Sequence, residues 1–144
     1  MAKIQIAEEA TDKLVAAYEK LIPQLSQSSR PPTKQDLERM INSDTTTVLI
    51  ATNKDDQIVG TMTLVLFRIP TGLRAWIEDV IVDSESQGKG IGKKLNQKAL
   101  TIAEKAGAKT VELTSRPSRE AANRLYQNLG FVKRETNIYR FTFD

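Results

Sequence analysis

Apolar residues along the chain follow two spacings, which predict a mixture of helices and strands. Four segments repeat apolar residues every three or four positions, as the buried face of a helix requires. Their approximate ranges are 11–23, 33–41, 88–106 and 119–129. Short apolar or alternating segments bounded by turn-forming or polar residues are typical of strands. They are 3–6, 45–52, 58–69, 73–82, 109–114, 131–134 and 138–143. The predicted fold class is α/β (α+β).

The order of these segments predicts how the strands pair. Strands 45–52, 58–69 and 73–82 are separated by short polar turns and should form an antiparallel meander. Strand 73–82 is joined to strand 109–114 by a long helix, and such a crossover makes two strands parallel. Ligands favour the crevice beyond the carboxyl ends of parallel strands, next to the N-terminus of the crossover helix. We therefore expect the functional site there.

Composition excludes several chemistries. The 144 residues are 40% hydrophobic and 27% charged and show no repeat or internal boundary, which predicts one domain, 1–144. The chain has no cysteine and no histidine, so thiol nucleophiles, Ser-His-Asp triads and Cys or His zinc sites are excluded, and no metal is expected. Catalysis would depend on positioning, electrostatics and modest proton transfer.

Net charge and hydropathy limit the kinds of binding partner that the sequence predicts. The net charge of +3 suits an anionic ligand, but the basic residues are scattered, so no nucleic-acid partner is predicted. No apolar run approaches the ~18 residues that cross a bilayer, and the start lacks a secretory signal. We expect a cytoplasmic protein without a membrane partner.

Glycines at alternate positions open the long helix. Gly88, Gly90 and Gly92 remove side chains that would keep a ligand from the backbone at the positive end of a helix, which makes an anion site. Lys89, Lys93 and Lys94 add positive charge around it. The alternative interpretation is a tight strand-to-helix turn without a ligand.

Two familiar phosphate loops do not fit this stretch. A Walker loop would need glycine at Gln87 and a hydroxyl residue at Lys94. A dinucleotide fingerprint would need a third glycine where Lys93 or Leu95 stands.

Two stretches instead resemble the GCN5-related N-acetyltransferase (GNAT) family. Gln87, Gly90 and Gly92 occupy the fixed positions of the family's Gln/Arg-x-x-Gly-x-Gly/Ala loop. Residues 122–131 resemble its Ala-x-x-Leu-Tyr-x-x-x-Gly-Phe helix end. The order of the predicted elements is also similar to the family's fold. The resemblance implies a mixed, mostly antiparallel sheet of about seven strands with a parallel central pair, flanked by about four helices.

The resemblance implies transfer of an acetyl group from acetyl-CoA to a primary amine by direct attack in a ternary complex. The chain departs from the family's pattern at Arg119, where many members have Asn; Arg119 either contacts coenzyme phosphate or is a solvated residue in a helix capped by Ser118. The expected coenzyme-binding residues are Val80, Ile81, Val82, Gln87, Gly88, Lys89, Gly90, Ile91, Gly92, Lys93, Arg119 and Asn123.

Tyr126 is similar in position to the family's tyrosine near the departing sulfur. A phenol there would hydrogen-bond or protonate the leaving thiolate. The alternative is core packing, because Tyr126 also lies on an ordinary apolar helix stripe with Leu125 and Leu129.

Glu78 and Asp79 interrupt an apolar strand, where burying them unpaired would be costly. Strand alternation predicts that they face opposite sides, and a buried carboxylate facing the acceptor could take the amine's proton near neutral pH. Glu78 is the preferred candidate and Glu112 a weaker one. A structural ion pair, or proton loss to water, is the alternative.

The acceptor stays open. It is an amine-bearing small molecule or peptide, and Trp76 and the connector 26–32 either line its site or only pack. A coenzyme A sensor without turnover is the main rival function and a protein-modifying enzyme a second. Oligomeric state, including a homodimer, is not determined by the sequence.

Overall fold

The computed structural model describes residues 2–144, which form two compact units. The first unit ends at Leu113 and contains the sheet. The second unit is Thr114–Asp144.

Among the described residues, the first unit has three helices and five strands. Its strands are β1 (Lys3–Ile6), β2 (Thr46–Thr52), β3 (Ile58–Ile69), β4 (Gly72–Val82) and β5 (Val111–Glu112). Its helices are α1 (Asp12–Leu25), α2 (Lys34–Ile41) and α3 (Ile91–Ala106). The second unit contributes α4 (Glu120–Asn128). The four predicted helices are therefore confirmed, with small changes at their ends.

At the start of α1 and α2, side chains accept hydrogen bonds from free backbone amides, and at the start of α3, glycines take a non-helical conformation. The Thr11 hydroxyl accepts a hydrogen bond from the Leu14 amide at 3.1 Å and opens α1. Thr33 and Asp36 exchange side-chain and backbone bonds of 2.9 and 3.1 Å, so the capping box predicted for α2 is present. The helix α3 begins at Ile91, later than the predicted 88, because the glycines before it are not helical.

The sheet has the order β1-β2-β3-β4-β5. All pairs are antiparallel except β4 and β5, which are parallel, so the predicted meander and crossover are confirmed. The parallel pair lies at an edge of this sheet rather than at its centre.

Helices cover the two faces of the sheet. One face packs on α1 and α2 through a buried cluster that includes Leu14, Leu21, Leu37, Val48 and Ile81. The other face lies close to α3: a Cβ added to Gly60 would meet Ile91 at 3.1 Å and Leu95 at 3.3 Å. A larger residue at position 60 would push α3 away from the sheet.

The prediction of about seven strands is wrong for the described residues, which form five. Segments 131–134 and 138–143 contain no strand, and the predicted strand 109–114 shortens to Val111–Glu112. Alternating side chains favour a strand, but a neighbour must accept and donate its backbone hydrogen bonds. Within residues 2–144, neither C-terminal segment is part of the sheet.

Candidate functional site

The glycine loop adopts a conformation that requires glycine. Gly88 and Gly90 have φ of 80° and 77°, in the left-handed region that other residues rarely occupy. A Cβ at either position would meet no atom within 4 Å. Conformation rather than space therefore excludes side chains, and the loop backbone stays open to a ligand.

The N-terminus of α3 is uncapped by any side chain. Gly90 is the N-cap residue, and the first intrahelical bond runs from the Lys94 amide to the Gly90 carbonyl at 3.1 Å. The amides of residues 91–93 consequently have no acceptor within α3. These amides and the exposed Lys89 and Lys93 lie at the positive end of the helix; an anion site there stays a prediction.

A buried carboxylate holds the start of this loop. Asp83 is 3% exposed; it accepts a bond from the Lys20 ammonium at 2.9 Å and one from the Gln24 amide at 3.3 Å. Gln24 also accepts a bond from the Ser84 amide at 2.9 Å. Lys20 is the main reason that the pKa of Asp83 lies below its ordinary value. The helix α1 thus fixes the exit of β4.

Sequence reasoning missed this anchor. Asp83 follows a strand and caps the single 3₁₀ turn Ser84–Ser86, which is a readable local signal. Lys20 and Gln24 carry no such signal, because they lie about 60 residues away on a helix face that looks solvated. The motif residue Gln87 adds a nearby contact, since its side-chain amide donates to the Val82 carbonyl at 3.4 Å.

The end of β4 has an open edge beside the loop. Pairing with β5 is limited to Ala75 with Val111 and Trp76 with Glu112. From residue 77 to residue 82, no strand of residues 2–144 pairs with β4 on that side. The predicted contacts at 80–82 fall in this stretch; Ile81 packs its side chain into the core and can offer only backbone groups.

A bulge interrupts the same strand. The register between β3 and β4 shifts near Thr61, and Asp79 has φ of 50°. This conformation breaks the regular alternation on which the prediction of opposite faces for Glu78 and Asp79 rested. Both carboxylates are exposed, so the expectation of a buried base is wrong. Pairing of β4 with β3 resumes beyond the bulge, at Ile81 with Thr61 and Val82 with Gly60, while solvent reaches both carboxylates.

Glu78 has a defined partner. The Trp76 indole donates to its carboxylate at 2.6 Å, which places the two side chains on one face of β4. Glu78 pairs with Thr63 across the strands, and Thr63 pairs with Val48 of the α1/α2 core. The indole and the carboxylate therefore lie on the α1/α2 face. Glu112, the weaker candidate, lies opposite Trp76 in the parallel ladder.

Two hydroxyls near the bulge are sealed from solvent. Tyr18 is 4% and Thr61 0% exposed, and neither hydroxyl has a hydrogen-bond partner among the described residues. Burial, with a smaller effect of the Asp79 charge, raises the pKa of Tyr18 to about 12. The Thr61 hydroxyl opposes this rise, so it lies close by, although the two groups do not reach hydrogen-bonding geometry.

In the second unit, the family-like helix end is a Schellman motif. Gly130 has φ of 102°, and its amide donates to the Gln127 carbonyl at 3.0 Å. The Phe131 amide donates to the Tyr126 carbonyl at 2.9 Å, and the two rings meet edge to face at 5.8 Å. The Gly-Phe spacing after Tyr126 thus has a structural cause.

The hydroxyl of Tyr126 takes no part in the Schellman motif, which uses the carbonyl and the ring of this residue. Its side chain is 8% exposed, and burial raises the pKa of its phenol, while Arg119 opposes the rise. The phenol is therefore a neutral hydrogen-bond donor at pH ~7. Both the packing interpretation and the catalytic one are compatible with this environment.

The other two predicted residues of the second unit differ. Arg119 is the N-cap of α4 without a side-chain capping bond, so Ser118 does not cap this helix. Arg119 and Ser118 line a shallow surface pocket. The Asn123 amide donates to the Arg116 carbonyl at 2.9 Å and is occupied within its own unit.

The described residues show two absences. No group of three or more His, Cys, Asp or Glu side chains among them could hold a metal ion. No helix formed by these residues combines the length and the apolar character needed to span a bilayer.

The model of the acetyltransferase (GNAT) family matches residues 11–131. The chain therefore belongs to the GNAT family of acetyltransferases. The match includes β2 to β5, the glycine loop and α4 with its closing Gly130 and Phe131.

Curated relatives share parts of the chain. N-alpha-acetyltransferase 30 of Schizosaccharomyces pombe is 35% identical over 71 residues, which are 49% of this chain and 47% of the relative. Mycothiol acetyltransferase of Renibacterium salmoninarum is 33% identical over 87 residues, 59% of this chain and 26% of the relative. The chain thus spans less than half the length of each of these relatives.

Solved structures share the fold over nearly the whole chain. An aminoglycoside acetyltransferase from an uncultured soil metagenomic sample has a TM-score of 0.86 at 20% identity, covering 99% of this chain and 97% of that one. Glucosamine-6-phosphate N-acetyltransferase of Arabidopsis thaliana has a TM-score of 0.82 at 22% identity, covering 100% and 99%.

Proposed function

We propose that this chain is a single-domain enzyme that moves an acetyl group from acetyl-CoA to a primary amine by direct attack in a ternary complex. The proposal rests on two neighbouring stretches of backbone whose hydrogen-bonding groups have no partner strand or capping side chain. The uncapped N-terminus of α3 and the open edge of β4 at 77–82 lie at either end of one short loop. One suits a diphosphate and the other an amide-bearing arm.

The diphosphate would bind at the glycine loop. Amides of residues 91–93 and the positive end of α3 favour an anion, and Lys89 and Lys93 add charge that faces solvent. Glycine at 88 and 90 lets the phosphate oxygens approach the backbone closely. The Asp83 anchor keeps this arrangement in place before the ligand arrives, which lowers the ordering cost of binding.

The pantetheine arm would lie along β4. Its two amides can pair with backbone groups of residues 77–82 in the manner of an added strand. The bulge at Asp79 interrupts the regular ladder with β3, so a nearby amide can point at the thioester carbonyl and polarise it. Of the predicted residues, Val80, Ile81 and Val82 would contribute backbone rather than side chains.

The reaction needs one bond formed and one broken. The neutral amine attacks the thioester carbon, the C–N bond forms, and the C–S bond then breaks with its electrons leaving on sulfur. We assign the hydrogen bond or proton for the thiolate to Tyr126, whose phenol is neutral. We propose that the Glu78 carboxylate binds the acceptor's ammonium and takes its proton, directly or through water. Asp79 is the second candidate for this role, and bulk water is the third.

The acceptor remains an amine of unspecified kind, a small molecule or a peptide. Solved relatives are named after an aminoglycoside and glucosamine 6-phosphate, and a curated relative is an N-alpha-acetyltransferase. A fold does not select among such substrates. A cytoplasmic location stays a prediction from the sequence.

The test is thiol release from acetyl-CoA with a panel of polyamines, amino acids, aminoglycosides and peptides with free N-termini. We expect turnover with at least one amine and none without an amine. Tight acetyl-CoA binding without turnover on any member would contradict the enzyme and favour a coenzyme-binding sensor. Absence of both binding and turnover would contradict the assignment of the loop itself.

A further inference from the structure

One polar side chain is buried on the apolar face of α3. Asn96 is 0% exposed and shares this face with four apolar residues, Ile91, Leu95, Ala99 and Ala103. Its side-chain amide donates to the Gly92 carbonyl at 2.8 Å, while its side-chain oxygen has no hydrogen-bond partner among the described residues. A buried acceptor without a partner destabilises a fold, so packing alone does not account for asparagine at this position.

The partner of the Asn96 amide lies in the first turn of α3. Gly92 has no Cβ, and glycine inside a helix loses more backbone freedom than any other residue. It also follows Gly90, whose φ of 77° is left-handed. This turn is therefore the weakest part of the helix, and a side-chain bond to the Gly92 carbonyl strengthens it.

The Gly92 carbonyl and the Lys93 amide belong to one peptide group. The group is planar and trans, so its carbonyl and its N–H point in opposite directions. A bond that holds the Gly92 carbonyl along the helix therefore points the Lys93 N–H out of the open end, where it has no acceptor within α3. A hydrogen bond to the carbonyl also polarises the peptide group and makes its N–H a stronger donor.

We propose that Asn96 is a positioning residue for the diphosphate of the coenzyme: through the Gly92 carbonyl, it fixes the direction of the Lys93 amide. Asn96 itself does not touch the ligand. The unpaired oxygen is the other half of an amide whose nitrogen makes the required bond. This inference rests on the proposed function, because the ligand it concerns is the coenzyme.

The same helix contains a second bond of this kind, which supplies a control. The Thr101 hydroxyl donates to the Gln97 carbonyl at 3.0 Å, also four residues back, on an exposed part of α3. A hydroxyl can therefore replace the amide at this spacing. Asn96→Thr keeps a donor for the Gly92 carbonyl, whereas Asn96→Val has the shape of threonine without the donor.

The first experiment compares acetyl-CoA binding by calorimetry with thermal melting. We expect Asn96→Thr to bind within about twofold of wild type and Asn96→Val to bind about fivefold to tenfold more weakly than Asn96→Thr. Asn96→Val should nevertheless melt at or above Asn96→Thr, because its buried side chain contains no polar atom. Thr101→Val should bind acetyl-CoA as wild type does.

The outcomes separate this inference from the proposed function. Equal binding by Asn96→Thr and Asn96→Val, with wild type binding well, would overturn the role of Asn96 and leave the proposed function intact. Weaker binding by Asn96→Val together with a lower melting temperature than Asn96→Thr would also overturn it, because Asn96 would then only stabilise the helix. Absence of binding by wild type would contradict the proposed function and this role with it.

The second experiment needs no ligand. Amide hydrogen exchange of residues 94–96, which donate the first backbone bonds of α3, should be at least about threefold faster in Asn96→Val than in Asn96→Thr. The amides of β2 and β3 should exchange equally slowly in both variants. Identical exchange of residues 94–96 in the two variants would overturn the proposed role.

Discussion

Both ends of α3 carry a glycine, but the glycine closes the C-terminal end of the helix and leaves the N-terminal end open. Gly90 and Gly107 both adopt left-handed φ, 77° and 90°, and a Cβ at either would meet no atom within 4 Å. At the C-terminal end, the Gly107 amide donates to the Glu104 carbonyl and the Ala108 amide to the Ala103 carbonyl, both at 3.0 Å. That end is closed by its own backbone.

The N-terminal end stays open. Its amides at 91–93 have no acceptor within the helix and no capping side chain. A glycine at a helix end therefore indicates a ligand only where backbone groups remain unsatisfied and accessible. The end of α4 repeats the closed pattern with Gly130, which is why the Tyr126 motif alone is weaker evidence for chemistry.

The largest effect is expected from Tyr126→Phe. The Schellman motif uses the backbone and the ring of Tyr126, so the variant should fold and melt like wild type. Loss of the hydroxyl should lower kcat about 100-fold or more if it donates to the leaving sulfur. Tyr139→Phe, which removes an exposed hydroxyl, is the control. An unchanged kcat in Tyr126→Phe would show that the motif only closes α4.

A smaller effect on stability is expected from Asp83→Asn, which weakens the anchor of the open end. Asp83 is a buried acceptor of three hydrogen bonds, so we expect a loss of about 1–2 kcal/mol in unfolding free energy at pH 7 and weaker acetyl-CoA binding. The control is Asp56→Asn, since Asp56 also meets a lysine at 2.9 Å but is 83% exposed. Equal melting of the two variants would contradict a role for burial.

The same pair defines a pH dependence. Lys20 holds the pKa of Asp83 below its ordinary value, and an unfolded Asp titrates near pH ~4. The ionised carboxylate therefore stabilises the fold fully above about pH 4, and this contribution is lost as the pH falls through the lowered pKa. The gap in unfolding free energy between wild type and Asp83→Asn should narrow in acid. A constant gap down to pH ~2 would contradict this account.

The smallest effect is expected from Tyr18→Phe. The Tyr18 hydroxyl is unsatisfied like the open amides, but it is sealed from solvent, so removing it should leave unfolding free energy within about 1 kcal/mol of wild type or raise it. The raised pKa, about 12, stabilises the neutral phenol below pH ~10, and this contribution is lost as the pH rises towards 12. Wild type should lose more stability there than Tyr18→Phe. A loss above ~2 kcal/mol at pH 7 would indicate a hidden partner.

Local signals predicted much of this structure. The Thr33 capping box and the glycine loop depend on residues near each other in sequence, and both are present. The parallel pairing of β4 with β5 follows from the order of strand, long helix and strand, and it is present too. Hydrogen bonds that close within one turn leave their mark in residue type, so a sequence alone can show them.

Long-range partners could not be predicted in the same way. The anchor between Lys20 and Asp83 joins two elements that show no paired pattern. The bulge at Asp79 interrupts the alternation of side chains along β4, and it depends on positive φ at a non-glycine residue, which the sequence does not indicate. The segment 138–143 has strand composition but is not part of the sheet in residues 2–144, because alternation shows a suitable side-chain pattern and not the presence of a backbone partner.

The central claim is that the open end of α3 binds the coenzyme, and calorimetric titration of acetyl-CoA tests it most directly. Gly90→Gln and Gly107→Gln impose the same left-handed strain at the two ends of one helix, so both should melt below wild type by similar amounts. We expect Gly90→Gln to bind acetyl-CoA at least about tenfold more weakly than wild type, and Gly107→Gln to bind it equally well. Equal binding by Gly90→Gln and wild type would contradict the claim.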